Sequence, residues 1–297
     1  MEFLWEATFS MSSYRLPDFL IVGTMKSGTT TLASYLNQNR SIHIPRDEIH
    51  YFNNEDNYEK GPKWYSQQLL NGIADFESPN LIGEKTPGYS YRPYCAQRIK
   101  DLTPDVKLIW IFREPVKRAY SNYLHSKKNG LEIRSFSYCV RHEAERMRKD
   151  ITKGFVERSK YVLQIERLTR LFSLENMHFL LFEDMVGNPS KVLNEVNCFL
   201  GAPTLSSYRQ IHSNKTLMPF SCLSLYLVRR LVGSNSKIYK MSARVNTRLA
   251  RFFPRKPESI PPDIENELRL QLQPYNRRLH ELTGLDLSPW ESLSKDL

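Results

Sequence analysis

Cysteine is scarce in this chain, with four residues in 297, at Cys95, Cys139, Cys198 and Cys222. They form no C-x-x-C pair and have no His at ligand spacing, which excludes a zinc ribbon and a dense disulfide framework. Reduced, partly buried thiols are the expectation. Long apolar runs are missing too. The longest, Phe19–Gly23 and Leu108–Phe112, fall far short of the roughly 20 residues of a membrane-spanning helix. Met1 to Tyr14 holds no Lys or Arg and carries Glu2 and Glu6, the wrong charge for a signal peptide, so a cytoplasmic protein without a membrane span is expected. Internal repeats and low-complexity linkers are absent. Acid is absent from one long stretch: Gly201 to Pro257 contains no Asp or Glu, yet eleven Lys or Arg.

What is present describes a folded basic protein. Lys and Arg number 42 against 32 Asp and Glu, a net charge of +10, and 40% hydrophobic residues suffice for a sizeable core, which excludes a disordered chain. The length fits one domain over residues 17–297 behind an extension at 1–16. Phe19-Leu20-Ile21-Val22 reads as a strand buried on both faces, and Val106 to Phe112 as a second. Leu81-Ile82-Gly83 and Met177 to Phe182 read as two more. Helical spacing follows in Thr31–Leu36, Ser159–Phe172, Lys191–Leu200 and Ile264–Leu282, the last stopping near Gly284. Alternating strands and helices predict an α/β fold, a three-layer sandwich with a central parallel sheet and a P-loop-like phosphate-binding loop.

That loop is Gly23-Thr24-Met25-Lys26-Ser27-Gly28-Thr29-Thr30, between the first strand and a helix. A tight turn there aims backbone N–H groups and the positive helix end at one place, an anion site. Gly23 and Gly28 allow close approach, Ser27, Thr29 and Thr30 supply hydroxyls, and Lys26 supplies a compact cation. The loop of ATPases reads G-x-x-x-x-G-K followed by Ser or Thr. Here Thr29 follows Gly28 where Lys is required, and the Lys lies two positions before that glycine, which counts against an ATPase and suggests another nucleotide.

Met25 to Thr30 resembles the 5′-phosphosulfate loop of sulfotransferases that use 3′-phosphoadenosine-5′-phosphosulfate (PAPS). Ile111-Phe112-Arg113-Glu114-Pro115-Val116-Lys117-Arg118-Ala119-Tyr120-Ser121 resembles the 3′-phosphate motif of the same family, about 90 residues later. Arg46-Asp47-Glu48-Ile49-His50-Tyr51-Phe52 is similar to the K-E-x-H-F-F element of heparan-sulfate-type and related bacterial members, and Gly83-Glu84-Lys85-Thr86-Pro87-Gly88-Tyr89 to their E-K-S/T-P-x-Y element. The pattern departs at Asn53, where heparan-type members carry Asp.

The resemblance implies a PAPS-dependent enzyme that leaves PAP and needs no metal. It assigns Lys26, Ser27, Gly28, Thr29 and Thr30 to the 5′ end of the nucleotide, and Arg113 and Ser121 to the 3′-phosphate. Glu48 would be the general base, His50 its orienting partner, and Lys85 a bridge between base and sulfate. From the residues alone, Glu48 reads first as a solvated carboxylate beside Asp47, Glu55 and Asp56, a reading that only the resemblance reverses, and His50 has the alternative of a satisfied histidine beside Tyr51 and Phe52. The acid-free stretch is either a solvated basic face or a flap whose Arg251, Arg255 and Lys256 close over the 3′-phosphate or draw in an anionic acceptor. The expected acceptor is a small molecule bearing a hydroxyl or amine, with an anionic glycan as the alternative and a nucleotide kinase or NTPase as a distant one. Nucleic acid is not expected, because no RNP, KH or helix-turn-helix signature accompanies the charge.

Overall fold

Five short apolar segments line up side by side in the computed structural model, which describes residues 14–73, 79–211, 218–254 and 257–292. They are β1 (Phe19–Gly23), β2 (Ile42–His43), β3 (Leu81–Lys85), β4 (Lys107–Phe112) and β5 (Met177–Leu181). Every neighbouring pair is parallel, in the order β2-β3-β1-β4-β5. Parallel neighbours need crossovers rather than hairpins, and helices supply most of the return path. In chain order the first helices are α1 (Thr29–Leu36), α2 (Glu55–Tyr58), α3 (Gly61–Leu69), α4 (Pro93–Leu102) and α5 (Pro115–Lys128). After them come α6 (Phe136–Arg141), α7 (Glu143–Lys149), α8 (Tyr161–Leu168), α9 (Phe182–Gly187) and α10 (Pro189–Leu200). The last are α11 (Cys222–Val232), α12 (Lys237–Phe252), α13 (Pro262–Thr283) and α14 (Ser288–Ser292).

The two-residue period of a strand sorts its side chains into two cores. Phe19, Ile21, Ile109, Ile111 and Leu180 pack with Leu32 and Leu36 of α1 and with Leu193 and Val196 of α10. Leu20, Val22, Leu108, Trp110 and Phe112 pack on the other face with Tyr65 of α3, Ile99 of α4, Val162 and Ile165 of α8, and Leu279 of α13. Helices therefore cover both faces of the sheet, and this is the three-layer α/β sandwich that the continuous apolar strands predict. A third cluster ties α5 to α13 through Val116, Ala119, Ile264, Leu268 and Leu272.

The predicted strands fall within a residue or two of those observed, and Gly284 caps α13 with a left-handed backbone (φ 68°). Two features differ from the sequence reading. β2 is two residues long, too short to show a period. The acid-free stretch, where the sequence reading named no element, carries two helices, α11 and α12, and Lys237, Lys240, Arg244, Arg248 and Arg251 stand exposed on α12.

Residue 83 must be glycine for a packing reason. Gly83 sits opposite Phe19 in the β1–β3 register, and a Cβ built there would collide with the fully buried Phe19 ring. Gly83→Ala is expected to lower stability by about 1–3 kcal/mol through overpacking, read as a lower thermal or urea midpoint; an unchanged midpoint would show that the ring can yield.

Candidate active site

Parallel α/β sheets gather function at the carboxyl ends of their strands. Three such ends meet here. β1 runs into the loop of residues 24–28, which leads to α1; β3 ends on Lys85; β4 is followed at once by Arg113.

The loop is held by its own hydroxyls. Thr24 Oγ1 and Ser27 Oγ lie 2.7 Å apart, and Thr24 Oγ1 donates to the Ile111 carbonyl (2.9 Å), anchoring the turn to β4. Gly28 is the N-cap of α1 with a left-handed backbone (φ 91°), and a Cβ there would lie 2.7 Å from the Phe182 ring, so both conformation and space call for glycine. Among the described residues, Lys26 and His50 are the non-glycine residues with positive φ, at 74° and 54°. Such strain tends to gather at sites where geometry matters more than backbone comfort.

Positive charge crowds this turn. Arg113 Nη1 donates to the Lys26 carbonyl at 3.4 Å while its guanidinium stacks 5.0 Å above the Phe182 ring. The fully buried Arg118 reaches the Met25 carbonyl at 3.3 Å. Burial first, then the charges of Lys128 and Arg113, lower the pKa of Lys26; Glu48 opposes them, and Arg118 adds to the lowering. Burial, Lys26 and Lys128 push the His125 imidazole down to about 4. Arg118, Ser121, His125 and Lys128 follow one another on α5 at helical spacing, so a single face of that helix lies toward the loop. This arrangement suits a multiply charged anion, which would relieve the mutual repulsion of the cations.

The second half of the site is a carboxylate between two bases. Glu48 lies 3.4 Å from His50 Nε2 and 3.8 Å from Lys85 Nζ. The almost fully buried Lys85 also reaches Thr30 Oγ1 at 3.4 Å, joining the Glu48 segment to the start of α1. His50 Nδ1 is 3.2 Å from Asn53 Oδ1, so the residue that departs from the heparan-type pattern helps to orient the imidazole.

Beneath them lies Glu84, with no solvent exposure. It accepts hydrogen bonds from Tyr65 (2.5 Å), Thr86 (2.6 Å) and Tyr89 (2.7 Å). Burial nevertheless raises its pKa against these donors. The same hydroxyls carry the support outward: Thr86 Oγ1 accepts from the His50 amide (3.3 Å), and Tyr89 OH from the amides of Tyr51 (2.9 Å) and Phe52 (3.4 Å).

Lys26, Ser27, Gly28, Thr29, Thr30, Glu48, His50, Lys85 and Arg113 thus surround one region, with Ser121 on the facing side of α5. Arg255 and Lys256 lie outside the described residues. Sequence reasoning missed Arg118, His125 and Lys128, although their spacing from Ser121 on a helical stretch was a usable signal. It also passed over Tyr65 as a partner of Glu84; nothing local in the sequence marks that pair.

Three outcomes test this geometry. Tyr89→Phe leaves the Tyr51 amide unpaired and removes a donor from Glu84, so stability should fall by about 1–3 kcal/mol in urea unfolding. His125, depressed in the folded state, contributes stability that is complete above its ordinary pKa and lost as pH falls toward about 4. His125→Gln should flatten that slope. Inorganic phosphate in the loop should raise the imidazole titration point seen by NMR.

A family model described as a sulfotransferase domain matches residues 16–225. The chain is 28% identical over 284 residues to heparan sulfate glucosamine 3-O-sulfotransferase 5 of Mus musculus, across 92% of this chain and 74% of that one. It is 27% identical over 281 residues to heparan sulfate glucosamine 3-O-sulfotransferase 3B1 of Mus musculus, across 94% of this chain and 66% of that one. Among solved structures, a sulfotransferase from Alicyclobacillus acidocaldarius superposes with a TM-score of 0.67 at 25% identity, covering 93% of this chain and 99% of the other. With a family match over most of its length, this chain belongs to the sulfotransferase family.

Proposed function

We propose that the protein transfers a sulfuryl group from PAPS to an acceptor hydroxyl, with Glu48 as general base. The observation that carries this reading is the placement of Glu48 between His50 (3.4 Å) and Lys85 (3.8 Å), beside a loop crowded with cations. When bound, PAPS supplies an SO3 group already attached to a phosphate leaving group. The N–H groups at residues 27–30 and the Lys26 ammonium would hold its 5′ end, and Arg113 and Ser121 its 3′-phosphate. Lys26 neutralises charge on the departing oxygen, and lowering of its pKa makes it a readier proton donor there. Glu48 takes the acceptor proton, His50 fixes the direction of the carboxylate, and Lys85 steadies both carboxylate and sulfuryl oxygens.

The acceptor follows from the space next to Lys85. A cleft of about 940 Å³ runs from Thr30 and Lys85 past His43 to Arg40 and Arg46. Its lining mixes polar and apolar groups but holds the cations Arg40, Arg46 and Lys85 and no acid, which suits an anionic sugar chain better than a flat apolar metabolite. The names of the curated relatives point to the same acceptor class, and their 3-O designation favours oxygen over nitrogen.

Labelled PAPS should be incubated in separate arms with heparan sulfate oligosaccharides and with a small-metabolite extract, each read by mass spectrometry for a gain of one SO3. Transfer to the oligosaccharide is expected; transfer confined to the extract would select the small-molecule acceptor. Turnover of magnesium ATP with no use of PAPS would end the proposal. Glu48→Gln should lower kcat by about 10²–10⁴ and leave PAP affinity unchanged, whereas Lys26→Ala should impair both. Near-normal turnover by Glu48→Gln would remove Glu48 as the base.

A further inference from the structure

Helix α12 is built inside out. It turns Tyr239, Asn246 and Ala250 toward the rest of the protein and leaves Ile238, Met241, Val245, Leu249 and Phe252 in solvent. Exposure of those five runs from 37% at Leu249 to 72% at Phe252. A helix that serves only its own domain places its large apolar residues inward. Positions 238, 241, 245, 249 and 252 fall on one stripe of the helix. One residue before each stands a cation: Lys237, Lys240, Arg244, Arg248 and Arg251, all exposed. An apolar stripe and a basic stripe therefore run side by side along α12.

Helix α11 packs against α12 and extends the apolar surface. Leu223, Leu227 and Leu231, spaced one turn apart, are 55%, 49% and 81% exposed. The pair is fixed rather than loosely tethered. Asn246 Oδ1 accepts from the Ser221 amide at 2.8 Å, and Tyr239 OH donates to the Asn129 carbonyl at 2.9 Å. Arg229 reaches the same carbonyl at 3.3 Å. Asn129 directly follows Lys128, so this surface borders the cation-rich side of the candidate site.

We propose that α11 and α12 form a docking surface for a lipid bilayer containing anionic headgroups. The apolar stripe enters the boundary of the acyl chains while the adjoining cations meet the headgroups, as amphipathic helices do when they lie in a membrane interface. Charge decides between occupants. Helices α11 and α12 carry seven cations and no acid, so a second copy docking through this face would bring like charges together. A sulfated or carboxylated polysaccharide would satisfy the cations but leave the row of large apolar side chains uncovered. An anionic bilayer satisfies both stripes. No described helix is long and apolar enough to cross a membrane, so the contact is with a surface.

The test is co-sedimentation of the full chain with phosphatidylcholine vesicles, with and without phosphatidylserine. Binding should require phosphatidylserine and weaken with salt. Arg244→Gln/Arg248→Gln should cut partitioning about fivefold per cation removed, and Val245→Ser/Phe252→Ser should cut it by at least a comparable factor. Because all four side chains are exposed, thermal midpoints and PAP affinity should be unchanged. Failure to bind phosphatidylserine vesicles would overturn the proposal. So would partitioning untouched by the apolar pair, heparin binding without vesicle binding, or a dimer in sedimentation equilibrium that the same variants dissolve. None of these readouts depends on sulfuryl transfer, so docking and Proposed function stand or fall separately.

Discussion

A carboxylate shut away from water ties together the half of the site that carries Glu48 and His50. Burying Glu84 is costly, since desolvation penalises its ionised form, and three hydroxyl donors offset that cost. Two of those hydroxyls accept in turn from the backbone of residues 50–52. Residues 50–52 are thereby fastened through their main chain to the turn that follows β3, and the side chains of Glu48 and His50 remain available. Aromatic packing closes the same region: the rings of Tyr51 and Tyr65 stack 4.2 Å apart, and Phe52 meets Tyr89 edge-on.

The other half is governed by repulsion. Lys26, Arg113, Arg118 and Lys128 repel one another against the opposing charge of Glu48, and the two guanidinium groups are held by neutral groups rather than by paired acids. Arg118 illustrates the method: Ser159, Asn122 and the carbonyls of Phe155 and Met25 receive its guanidinium, all of them neutral acceptors. Cations neutralised by carboxylates would compete with an incoming phosphate; cations supported by carbonyls and hydroxyls do not.

Much of the fold was legible because a strand buried on both faces announces itself as a continuous apolar run, as in Phe19–Val22 and Leu108–Phe112. β2 escaped notice because Ile42 and His43 acquire strand character only by pairing with β3. The strand–loop–helix turn at residues 23–30 was legible because its residue types are local. Glu48, His50 and Lys85 were named through resemblance, and their convergence is a tertiary fact that spacing along the chain does not contain. Tyr65 and Glu84 met without any sequence signal, since their contact depends on how α3 lies on the sheet. In α12 the apolar and basic periodicities were both readable, but which face turned inward was not.

Strand β3 alternates its allegiance: Glu84 faces a sealed interior, and its neighbour Lys85 serves the cleft. Sliding that strand by a single residue would exchange ammonium for carboxylate beside Glu48. The missing side chain at Gly83, seated over the Phe19 ring, works as a notch that admits one alignment and rejects the adjacent ones. Assembly error at this strand is thereby screened sterically, before any substrate could expose it.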